Sequence, residues 1–169
     1  MDILKAIHTR RSVRKFTGEP VRNEHIDILL RAAMVAPSAH KRLPWHFIVL
    51  TERSALDKVA QNNKYAQMAK EAPLAIIVCA DTSLEDNDKG FWVQDCSAAI
   101  QNMMLAALEL GLGSVWTGIH PTDREDLFRR DFNIPGHIGV LGCVVIGHPA
   151  AEQEYKDRYK PERVHQNTW

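Results

Sequence analysis

"FWVQDCSAAIQNMMLAALEL", residues 91–110, is the stretch whose reading decides the fold. It is the longest helical pattern in the chain and stops at Gly111. Leaving aside Asp95, Gln101, Asn102 and Glu109, it is apolar nearly all round. Such a helix must be covered on every side, by its own domain or by a partner subunit. On its N-terminal side "LAIIVCA" (74–80) reads as a strand apolar enough to be buried on both faces, and "HFIVLT" (46–51) as an earlier strand. On its C-terminal side "GSVWTGI" (113–119) and "GVLGCVVIG" (139–147) are two more strands. Between them "TDREDLF" (122–128) opens a helix with Thr122 and Glu125 at capping-box spacing.

The remaining helices alternate with these strands. "NEHIDILLRAAMVA" (23–36) carries apolar residues at 26, 29, 30 and 33 and ends before Pro37. "SALDKVAQ" and "KYAQMAKEA" predict two short helices before Pro73. The polar tail from 148 to 169 has no core pattern of its own, yet it keeps Tyr155, Tyr159, Val164 and Trp169, which predicts that it docks on something. Residues 1–169 therefore read as one αβ domain without repeats or linkers.

Composition narrows the function. Twenty-one Lys plus Arg balance twenty-one Asp plus Glu, so no overall field draws the chain to nucleic acid or an anionic membrane. The start, "MDILKAIHTRR", lacks a signal-peptide core, and the expected location is the cytoplasm. Cys79, Cys96 and Cys143 each lie in an apolar stretch, with no C-x-x-C, and read as buried small hydrophobes. The eight histidines form no metal pattern. "GLGSVW" has G-x-G but no third glycine, and it leads into a strand rather than a helix, so a Rossmann fingerprint is excluded. Walker A and G-x-S-x-G patterns are absent as well.

One cluster stands against the neutral charge balance. "RRSVRKF" (10–16) places Arg10, Arg11, Arg14 and Lys15 within seven positions. Two readings are open. Asp2 can cap a short helix over "ILKAIHT" (3–9), with Ile3 and Ile7 on one face and the arginines serving its C-terminal dipole. Alternatively the cluster waits for a specific anion, which its four cations within seven positions could meet.

Four stretches together resemble one family. "RRSVRKF", "APSAHKRLPWHFIV" (36–49), "QDCSAAIQNMMLAALELGLGSVW" (94–116) and "ERVHQNTW" (162–169) are similar in order and spacing to the nitroreductase family of flavoproteins, over essentially the whole chain. The resemblance implies an α+β fold: a central, mainly antiparallel sheet of about four strands flanked by helices, with a C-terminal tail embracing the partner of a homodimer. It implies FMN as cofactor and NAD(P)H as electron donor, with nitroaromatics, quinones or similar acceptors reduced in a ping-pong, two-electron scheme. Hydride transfer at flavin N5 then needs no catalytic side chain.

On the family pattern the anion is the FMN phosphate, met by Arg10, Ser12 and Arg14, with Arg11 in the same cluster. Lys160 or Arg163 resembles the tail cation that closes over it. Pro37, Ser38, Ala39 and Lys41 resemble the loop that reaches the flavin ring of the neighbouring subunit, and Thr117–Gly118 the segment whose glycine N–H lies near N5. Relatives commonly read S-A-x-N-x-Q-P-W where this chain has Ser38, Ala39, His40, Lys41, Arg42, Leu43, Pro44 and Trp45. A cation thus replaces an amide at 41 and an apolar residue replaces a glutamine at 43. Two rivals remain: an FMN-binding carrier or regulator without turnover, and a flavin-destroying or dehalogenating relative on the same fold.

Overall fold

The computed structural model describes residues 2–85, 89–151 and 157–169. Its centre is a four-stranded antiparallel sheet in the order β1-β2-β4-β3, formed by β1 (Trp45–Leu50), β2 (Leu74–Asp81), β3 (Gly113–Gly118) and β4 (Ile138–Gly147). The two middle strands are the two longest apolar runs, and both are buried on both faces as their sequences require.

Alternate residues of β2 feed two cores. Ala75, Ile77 and Cys79 face a layer built from α3 (Arg53–Asn62) and α5 (Arg124–Phe132), whereas Leu74, Ile76 and Val78 face α2 (Asn23–Met34) and α4 (Phe91–Glu109). The α2 stripe is as the sequence predicts: Ile26, Leu29 and Ala33 are buried. Gly111, at φ +73°, closes α4 by letting its own N–H reach Leu108 O and the Leu112 N–H reach Ala107 O, which satisfies the last carbonyls and turns the chain into β3.

The single chain does not cover α4 completely. Trp92, Cys96, Ile100, Met103 and Ala107 are buried, but Gln94, Gln101 and Glu109 are exposed along one stripe, with Asn102 and Leu105 half-buried between them. Beside that stripe, α1 (Ile3–Thr9) is capped by Asp2, whose Oδ1 accepts the Leu4 N–H at 2.8 Å, and buries only Ala6. Ile3, Leu4 and Ile7 are left exposed.

Two local expectations are corrected. "KYAQMAKEA" forms a single 3-10 turn, Gln67–Lys70, in place of an α-helix. Asn63 closes α3 and Pro73 ends the segment, leaving room only for a tight turn that buries Ala66 and Ala69. The capping box at α5 does not form either. The Glu125 carboxylate leaves the helix terminus for His120 Nδ1, at 2.6 Å, and for Arg129. The tail docks on residues 15–17 only at its start, where Pro149 bridges Phe16 and the Ala150 N–H donates to Lys15 O; it is exposed from Asp157 to Trp169, and Tyr155 lies outside the described residues.

Cys79, Cys96 and Cys143 are buried and free, as expected, and burial pushes each thiol up to about 12. A disulfide reagent that attacks thiolates is therefore expected to label no cysteine in the native protein at pH 8 and three in guanidinium chloride. Rapid labelling of the folded protein would contradict the burial.

Candidate functional site

The outer edge of β3 organises the site. Residues 10–16 leave α1 in extended form and run beside this edge: Ser12 bridges Ser114 in parallel, and the Val13 N–H donates to Ser114 O at 3.0 Å. Gly113 is required there, because a Cβ would fall 2.7 Å from a Val13 methyl. Val13 and Phe16 are buried, which fixes the segment and leaves its cations outside the core.

Arg10 and Arg11 open onto a cavity that also involves Met104, Leu108, Gly111 and Pro149. Arg11 turns back, its Nη1 donating to His8 O at 2.9 Å and Arg10 O at 2.8 Å. That serves the end of α1, as the first sequence reading has it. The Arg10 guanidinium has no hydrogen bond or ion pair among the described residues. Burial first, then the positive charges of Arg11 and Arg158, hold it below its ordinary range. A half-buried cation surrounded by like charge is set up for an anion. Arg14 is exposed and lines a separate groove with Lys15, Phe16 and Gln67.

The other end of the edge is open. Ile119 N donates to Leu141 O at 3.1 Å, and the alternation of an antiparallel ladder then turns the Gly118 N–H and C=O away from β4. The carbonyl is taken by Asn63 Nδ2 at 3.3 Å, and a Cβ at Gly118 would meet nothing within 4 Å. Gly118 is exposed, and its N–H, turned off the sheet edge, is placed to donate to a planar ring. Thr117, by contrast, is buried with its hydroxyl donating to Cys143 O at 3.1 Å.

The loop of Pro37, Ser38, Ala39 and Lys41 lies elsewhere. It leads into β1, the edge opposite β3, three strand spacings or about 14 Å away. Its shape is held tightly: Ser38 Oγ accepts the Leu43 N–H at 3.0 Å and Asp95 Oδ1 accepts the Ala39 N–H at 2.9 Å. His40, Lys41 and Leu43 are all left-handed, at φ +52°, +56° and +50°. Three such non-glycine residues in four positions mark a loop shaped for contact. Lys160 and Arg163 are exposed on the tail.

Sequence reasoning missed three residues. Arg158, rather than Lys160 or Arg163, is the tail cation felt by Arg10. Asn63 is fully buried at the end of α3 and ties it to Gly118. Asp95, the one charge inside the α4 pattern before Glu109, anchors the Ala39 loop. An acid within an otherwise apolar helix was the available signal.

An antiparallel sheet between helical layers, with an arginine near one end of the β3 edge and an exposed glycine at the other, defines an α+β fold. The family model described as "Nitroreductase family" matches residues 7–148, and the chain belongs to that family. It is 49% identical over 170 residues to a Methanothermobacter thermautotrophicus protein named "Putative NADH dehydrogenase/NAD(P)H nitroreductase", covering 100% of this chain and 88% of that one. A Parabacteroides distasonis crystal structure of the same name superposes with a TM-score of 0.95 at 43% identity, covering 100% and 99%. A Desulfovibrio desulfuricans nitroreductase homologue, solved in complex with FMN, gives 0.86 at 29% identity over 100% and 98%.

Proposed function

We propose that the protein is an FMN-dependent oxidoreductase, acting in the cytoplasm, that uses NAD(P)H to reduce nitroaromatics, quinones or similar acceptors in a ping-pong scheme. The observation that carries this is the β3 edge: an Arg10 guanidinium with no counter-charge among the described residues, in one cavity with Ser114, and at the other end an exposed Gly118 whose amide turns away from β4. Four residues at ~3.3 Å each separate those ends by about 13 Å, room for a phosphate at one and a ring at the other. FMN supplies the two-electron carrier. Arg10, with Ser12 and a tail cation, holds the phosphate, Arg14 adds only a solvent-screened attraction from its separate groove, and the Gly118 N–H orients the ring. The FMN complex of the Desulfovibrio relative supports FMN as the cofactor.

The active unit is a homodimer. Pro37, Ser38, Ala39 and Lys41 lie across the sheet from Gly118 of their own chain, so a second chain brings them to the ring. No helix among the described residues is long and apolar enough to cross a membrane.

Anaerobic addition of NADH or NADPH to the purified protein tests the reading. Rapid loss of flavin absorbance supports a reductase, and a flavin spectrum that NAD(P)H leaves unchanged would make it a carrier.

Lys41 offers a finer test. A cation within about 4–6 Å of the ring favours the negatively charged reduced form over the neutral oxidised one. Lys41→Asn is therefore expected to lower the midpoint potential by some tens of millivolts, about 30 mV being roughly 1.4 kcal/mol for a two-electron couple. Asparagine also tolerates the left-handed backbone at this position better than lysine, so the loop shape survives the change. An unchanged potential would place Lys41 in solvent.

A further inference from the structure

We infer that Lys64, Tyr65 and Arg124 form a phosphate-recognising subsite for the adenosine half of the nicotinamide dinucleotide donor, an inference that rests on the flavin reading above. The Tyr65 ring is 61% exposed. Lys64 Nζ lies 5.2 Å from its centroid and Arg124 Cζ 5.7 Å from it, both within cation–π range. Neither cation pairs with a carboxylate among the described residues. Asp123 and Asp126 flank Arg124 in sequence without pairing to it, and Glu125 is engaged by His120 and Arg129. The Arg124 Nε is buried and has no hydrogen-bond acceptor. A buried donor without a partner is costly to keep, so the guanidinium gains by turning outward to a ligand oxygen.

Position gives the cluster its meaning. The Tyr65 N–H donates to Asn63 Oδ1 at 3.0 Å, and Asn63 Nδ2 donates to Gly118 O at 3.3 Å. From the other side, the Arg124 N–H reaches Thr122 Oγ1 at 3.4 Å, and the Thr122 hydroxyl donates to Ile119 O. Both arms are thus tied to residues 118 and 119, where the ring edge is proposed to lie. A nicotinamide stacked there carries a ribose, a pyrophosphate and an adenosine that must leave across the adjoining surface. An exposed aromatic with two cations suits that group, because the adenine can stack while phosphate oxygens meet the guanidinium and ammonium.

The test is calorimetric titration of the purified flavoprotein with adenosine 2′,5′-bisphosphate and with ADP, neither of which needs the flavin to react. At least one should bind; preference for the bisphosphate assigns the cations to the 2′-phosphate, and preference for ADP to the pyrophosphate. Lys64→Ala and Arg124→Ala are each expected to weaken binding about tenfold, Tyr65→Leu several-fold, and Tyr65→Trp much less. In turnover the two alanine variants should raise KM for the dinucleotide and leave kcat unchanged, with reduced nicotinamide mononucleotide used as well as by the unmodified protein. Absence of binding by both adenosine ligands, or equal binding by the double alanine variant, would overturn the subsite. Should the protein take no flavin, the oxidoreductase reading fails by itself, and the adenosine titration still reports on these three residues.

Discussion

Arg10→Ala is expected to weaken FMN binding by about 2–4 kcal/mol, on the order of 30- to 1,000-fold, while barely changing the weak binding of riboflavin. A guanidinium can donate two charge-assisted hydrogen bonds to a phosphate, and Arg10 is partly desolvated, so water competes poorly for it. Arg11 and Arg158 sharpen the prediction, because in the absence of phosphate they repel Arg10. Removing Arg10 relieves that repulsion, so the flavin-free variant should melt no lower than the flavin-free unmodified protein and should gain far less in Tm when FMN is added. A variant that was simply misfolded would lose both. Arg14→Ala is expected to cost under tenfold, because Arg14 is exposed on a separate groove. Fluorescence titration with FMN and riboflavin decides the matter, and equal affinity of the unmodified protein for the two would remove the phosphate from the arginine cluster.

The sequence exposes most of the fold because its signals are repetitive. A strand buried on both faces has no polar residue to interrupt it, so β2 and β4 stand out as "LAIIVCA" and "GVLGCVVIG". The stripe of Ile26, Leu29 and Ala33 likewise gives the inner face of α2 directly. What it hides depends on single partners. Glu125 has the spacing of a capping residue, but a histidine five positions upstream is the stronger partner once the chain folds. Arg158 looks like any other cation in a polar tail until the tail is seen to pass Arg10. Asn63 lies unmarked between two expected helices, and only the fold places its amide against Gly118. The arginine cluster divides in the same way: Arg11 serves the end of α1, whereas Arg10 is left half-buried beside like charges, where an anion is proposed.

Val35→Asp is expected to convert a dimer near twice 19.1 kDa into monomers and to abolish FMN retention with them. Val35 is 78% exposed at the end of α2, close to α1, whose Ile3 and Ile7 are exposed as well. It lines a groove with Ile3, Ala6, Asn102 and Leu105, which joins the uncovered stripe of α4 to the exposed face of α1. An apolar surface of this kind, continuous over three helices, calls for a partner, and the open tail with Tyr159 and Trp169 supplies more of the same material. In a two-fold interface the substitution enters twice. At about 3 kcal/mol for each unpaired buried carboxylate, the pair costs about 6 kcal/mol, on the order of 10⁴-fold in the dissociation constant. Because Val35 is exposed in the single chain, the monomer should keep its far-UV circular dichroism, which separates loss of assembly from loss of folding. Ile3→Asp, on a different helix of the same groove, should behave alike, and Val35→Ile should remain dimeric. On the proposed two-chain site, in which Pro37, Ser38, Ala39 and Lys41 reach the ring from the second chain, the flavin should be lost with the partner. Light scattering coupled to sizing, read at 280 nm and 450 nm, follows mass and flavin together. A flavin-loaded, active monomer, from either the unmodified protein or Val35→Asp, would break the two-chain site and return Gly118 and Arg10 to a pocket complete within one subunit.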